Sequence, residues 1–109
     1  MNRIVTALAL CAFSSIASAS PPPCSSDAIA QARKLLVFHF GENDPRIEID
    51  ASVKELPSIR NPADAKQRFE VLEVWGCIFK GQYRMRLIYY VSGSGCLLMG
   101  QEILEQARL

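Results

Sequence analysis

Proton transfer near neutrality is ordinary work for one side-chain type, and this sequence holds a single histidine, His39. Catalysis needs a constellation of groups, yet no serine or cysteine adjoins His39, and it falls near a helix end where a cation is favoured. It is read as structural. Cys77 could act as a nucleophile only if its thiolate were stabilised. Its sequence neighbours Trp75, Ile78 and Phe79 instead make an apolar setting that raises a thiol pKa, so it is read as a small core residue. Glu48 and Asp50 stand two apart, a spacing that puts both carboxylates on one face of a strand, where they could hold a cation or act as an acid/base pair. Arg84 and Arg86 share that same outer face further along, so the four are read as solvated cross-strand pairs. No catalytic, metal-binding or cofactor-binding residue is assigned, and no cofactor is expected.

What must position these groups begins after residue 19. Arg3, the apolar run from Ile4 to Ile16, and Ala17-Ser18-Ala19 form a basic start, a short apolar middle and a small-x-small cleavage site, which is the pattern of a cleaved signal peptide over 1–19. The apolar run is too short to span the ~30 Å hydrocarbon core of a bilayer as a helix, so no membrane span is expected after cleavage. Cys11 leaves with the peptide. The remaining chain is the size of one domain, read as a proline- and serine-rich leader over 20–26 and a single α+β domain over 27–109. The formal net charge of +1 disappears with Arg3, which leaves no electrostatic footprint for nucleic acid or anionic lipid. An exported chain, periplasmic or secreted, meets an oxidising compartment in which accessible thiols pair.

The period of the apolar residues sets the elements. Ile29, Ala32, Leu36 and Phe40 recur at helical spacing between the Ser25-Ser26-Asp27 cap and the Gly41 stop, predicting an amphipathic helix over 27–40. From Arg46 the period becomes two, with Ile47, Ile49, Ala51 and Val53 on one face, and Pro57, Asn61 and Pro62 placing a loop to about Lys66. Strands over 68–79 and 83–92 flank Lys80-Gly81-Gln82. A three-residue loop there sets Phe79 against Tyr83, Cys77 against Met85 and Trp75 against Leu87, whereas a two-residue loop sets that row against Arg84 and Arg86. The three-residue loop is expected. A last strand over 96–106 completes one N-terminal amphipathic helix packed on a four-stranded antiparallel meander sheet.

The same layout sorts the cysteines. Cys77 and Cys96 fall ~20 Å apart along the sheet at ~3.3 Å per residue, beyond the ~7 Å between α-carbons that a disulfide allows. The start of the helix lies over the end where the third strand finishes and the fourth begins, so a Cys24–Cys96 disulfide is expected, with Cys77 a buried free thiol. Pairing Arg86 with Glu102 turns Cys96 away from the helix; the adjacent register turns it inward, and the disulfide favours the inward one.

Element order of this kind resembles the cystatin-like and NTF2-like folds, in which a curved sheet wraps one helix. Leu72-Glu73-Val74-Trp75-Gly76 is similar to the Gln-x-Val-x-Gly loop of cystatins, with Val74 and Gly76 matching and Leu72 at the glutamine position. The resemblance implies two alternatives: inhibition of a papain-like protease by that segment, or an NTF2-like enzyme using a pocket between helix and sheet. The reading preferred is a non-enzymatic interaction module. Leu72, Val74, Ile88 and Tyr90 are expected on the sheet face opposite the helix, with Leu97 or Leu98 beside them, and an apolar patch there marks a contact for a protein partner or a second copy.

Overall fold

The computed structural model describes residues 20–106. The signal peptide expected over 1–19 lies outside these residues. The chain runs α1 (Ser25–Phe40), β1 (Ile47–Ile49), β2 (Lys54–Asn61), β3 (Asp64–Ile78), β4 (Gly81–Ser92) and β5 (Gly95–Gln106). It is an α+β fold, one helix on one antiparallel sheet, with five strands where a four-stranded meander was expected.

Helix α1 is longer at its start than predicted. It follows Cys24, which sits in the left-handed region at φ 70°, and no side chain caps it. Ser25 instead donates its hydroxyl to the Pro22 carbonyl at 2.6 Å, and Asp27 sits in the first turn, where the helix dipole favours an acid. Gly41 ends it at φ 102°, donating its N–H to the Val37 carbonyl, a left-handed stop that glycine adopts without penalty. The buried stripe is Ala28, Ala32, Leu35 and Leu36. Phe40, expected on that stripe, is 39% exposed.

The strand expected to run unbroken from Ile47 to Val53 stops at Ile49. Asp50 turns the chain: its backbone N–H donates to the Trp75 carbonyl at 2.8 Å and its carboxylate accepts the Ser52 N–H at 3.0 Å. The segment expected to be a loop is β2, which pairs with β3 from Lys54↔Glu73 to Asn61↔Asp64. Pro57 is tolerated because β2 lies at the sheet edge, and the register shifts between Leu56 and Ile59, where the proline cannot donate to the ladder. Both β1 and β2 therefore border the same edge of β3, and the sheet runs on through β4 to β5.

The largest correction is at the β3–β4 hairpin. Ile78 pairs with Gly81 and Val74 with Met85, so the loop is the two residues Phe79-Lys80. Phe79 takes φ 54°, a left-handed conformation that a bulky side chain rarely adopts. Because side chains alternate faces, this one-residue difference turns all of β3 over. Leu72, Val74, Gly76 and Ile78 face the helix with Tyr83, Met85, Leu87 and Tyr89, while Trp75 and Cys77 lie opposite Arg84 and Gln82 on the outer face. Gly76 is where the layers approach most closely: a side chain there would begin 3.0 Å from both Ile49 Cδ1 and Leu36 Cδ2.

The Cys24–Cys96 disulfide is present, with α-carbons 6.0 Å apart, joining the helix start to β5. The two demands on β5 are both met. Arg86 pairs with Glu102, yet Cys96 turns inward, because a bulge between Ile88↔Gly100 and Tyr89↔Leu98 leaves Met99 as an extra residue and changes the phase.

Candidate functional site

The two faces of the sheet do different work. On the helix side the core is closed by Leu35, Leu36, Val74, Met85 and Leu87, all buried. Tyr89 joins them, and its burial, with Asp27 nearby, pushes its phenol up to about 12. At the edge of this layer Glu70, beside Tyr89 in the register, has a carboxyl raised above the usual range by burial and by a hydrogen bond with Glu55. This pair of acids was not legible in the sequence, since Glu55 falls in the stretch read as turning into a loop.

The residues weighed for chemistry and read as structural remain apart. His39 is exposed at the end of α1, its ring edge-on to Tyr83 at 5.5 Å between centroids. Glu48 is exposed on β1 and Asp50 is occupied with the turn that follows. Arg84 meets Glu73, which the expected register had not brought near it, with Nε to Oε2 at 3.7 Å; directly across from Glu73 is Arg86, whose Nε is buried with no hydrogen-bond partner among the described residues. Near the start of β1, Asp44 accepts the backbone N–H of Arg46 at 2.8 Å and a guanidinium N–H at 2.8 Å, which hold its carboxyl down at about 2. That pair fastens the loop into β1; it is not a catalytic dyad.

Of the expected contact surface, half is elsewhere. Leu72 and Val74 are 1% and 0% exposed and belong to the core under the helix, because the shorter hairpin loop turned β3 over. The Leu72 to Gly76 segment that resembles the cystatin loop accordingly lies in mid-strand, with Val74 and Gly76 buried. Cys77 is not a free thiol: it is disulfide-bonded, and the described residues include no free cysteine. It is 0% exposed, as expected, although the turned strand puts it and Trp75 on the outer face.

Ile88 and Tyr90 are on the outer face as expected, and the structure adds neighbours to them. Tyr90 lies beside Phe69 with ring centroids 6.4 Å apart. Phe69 pairs with Ile59 of β2, and Tyr90 with Leu97 of β5. A band of apolar side chains thus crosses the outer face through four strands, from Ile59 to Leu97, at the end where β4 turns into β5. Leu97 is 60% exposed and Met99 beside it 49%. Ile59 was missed because β2 was read as a loop, and Phe69 because the longer hairpin loop put its row under the helix.

No family model, no curated protein and no solved structure matches this chain. Among the described residues no helix is long and apolar enough to cross a membrane, and no cluster of His, Cys, Asp and Glu could hold a metal ion. The Cys24–Cys96 disulfide is consistent with an oxidising compartment.

Proposed function

We propose that the chain is an exported, non-enzymatic interaction module, which holds a protein partner on the outer face of its sheet around Ile88, Tyr90 and Leu97. One observation carries the reading: a sheet covered by a helix on one side is expected to be polar on the other, and here an apolar band crosses it and ends in a leucine that is 60% exposed. The disulfide supports export. The filled space between helix and sheet and the isolation of His39 speak against an enzyme, and burial of Val74 and Gly76 speaks against a cystatin-like loop.

The test is site-specific photo-cross-linking in the exporting cell. A photoreactive residue at Leu97 or Tyr90 is expected to give one discrete protein adduct, and the same residue at exposed Ala30 on the helix none. Equal, diffuse labelling at both places would defeat the reading. Light scattering of the purified protein identifies the adduct as a second copy if the mass is doubled and Ile88→Asp returns it to a monomer.

A further inference from the structure

We propose that β5 is the docking element itself, and that it takes an extended, basic segment of another protein as an added strand. This rests on the interaction reading above and names its mode and chemistry. β5 is the last strand in the sheet order, and its far side meets no strand among the described residues. It runs for twelve residues, Gly95–Gln106, with neither proline nor lysine nor arginine in it. Strand edges of that length are ordinarily blunted by such residues, because an open row of backbone N–H and C=O groups invites another chain. Its bulge at Met99 is the one guard present, and the seven residues from Gly100 on are regular.

The side chains say what kind of strand fits. Leu97, Met99 and Leu104 are 60%, 49% and 49% exposed, so apolar surface flanks the open edge in both halves of the strand. The only charged residues on β5 are Glu102 and Glu105, and neither forms an ion pair within 4.0 Å among the described residues. A second copy adding its own β5 would bring four glutamates and no cation onto one two-stranded ribbon, and like charges facing each other across strands are destabilising. The β2 edge of a second copy carries Lys54 and Arg60, but Pro57 and its register shifts interrupt that ladder. What remains is an extended segment whose main chain would supply affinity and which carries a lysine or arginine on each face, three residues apart, to meet Glu102 on the outer side and Glu105 on the helix side.

The experiment uses the protein purified from the exporting cell and a capped peptide of valine and threonine with two lysines three residues apart, one for each face. On binding, amide hydrogen exchange along β5 is expected to slow about tenfold or more with β2 unchanged, and binding is expected to weaken with salt. Glu102→Lys with Glu105→Lys should reduce affinity about tenfold or more and transfer it to the glutamate version of the peptide. The milder Glu102→Gln with Glu105→Gln, checked for an unchanged melting curve, reads the same loss should the reversal fail to fold. Equal binding of both peptides, binding without protection of β5, or no binding overturns the proposal, as does a dimer of the free protein with β5 already protected. A discrete Leu97 adduct in the cell with β5 exchange unaltered would sink strand addition and leave the interaction reading standing; loss of the adduct sinks both.

Discussion

The two edges of this sheet are built to opposite specifications. One is divided between β1 and β2, interrupted at Asp50, bent at Pro57 and lined with Lys54, Glu55 and Arg60. The other is the single strand β5, unbroken in pairing apart from one bulge, exposing Leu97, Met99 and Leu104 beside its two glutamates and tied through Cys96 to the helix. A sheet that needed only solubility would guard both. Guarding one and stapling the other in place is what a binding edge requires, since an added strand needs a rigid template more than it needs a long one.

The difference can be broken in steps. Removing the staple with Cys24→Ser and Cys96→Ser should have the largest effect. The bond spans 72 residues, and opening so long a loop should cost about 4 kcal/mol of stability in urea unfolding, with hydrogen exchange rising along β5 before it rises along β2. Equal loosening at both edges would erase the contrast. On the guarded side, Gly76→Val would drive a side chain into Ile49 and Leu36 and should cost about 1–3 kcal/mol, releasing β1 first.

Between the edges, Tyr89 gives a pH readout of the core they share. Its folded-state pKa is raised, so its contribution to stability is full below pH 10 and is lost as pH rises toward about 12. Melting from pH 9 to 12 should show a loss on the order of 2 kcal/mol, and Tyr89→Phe should flatten that slope. Phe79→Gly should stabilise by about 1 kcal/mol, because it relieves the left-handed backbone of the hairpin loop. A destabilised variant would mean that contacts of the Phe79 ring, with Arg46 among them at 5.8 Å, outweigh the backbone strain. Smallest in stability is Pro57→Thr, expected within about 0.5 kcal/mol of the parent. Its consequence should be association: with the proline gone, light scattering at high concentration should report aggregation through β2 that the parent lacks.

The helix, its glycine stop, the phase of β1 and the pairing of Cys24 with Cys96 were legible in the sequence, because each depends on short-range periodicity or on the order of elements along the chain. The candidate site was legible only in part. Ile88 and Tyr90 stand on β4, where Arg84 and Arg86 mark their row as the outer one, whereas Leu97 and Leu98 were equal candidates until the bulge at Met99 turned Leu97 outward. On β3 both rows are apolar: Leu72, Val74 and Ile78 on one, Val71, Trp75 and Cys77 on the other.

Where both rows can be buried, alternation says that a strand exists and is silent about which side meets the helix. Matching apolar rows alone favoured the three-residue turn, which sets Cys77 against Met85 and Trp75 against Leu87. The folded chain bends one residue earlier, at Phe79, because that register brings Val74 and Met85 together under Leu36, leaves Gly76 as the gap into which the helix settles, and sets Glu73 among Arg84 and Arg86. Local propensity decided that there would be a helix and antiparallel strands; the packing of the helix against one particular row, a contact between residues distant in the chain, decided which row of β3 meets the helix and which faces the other way.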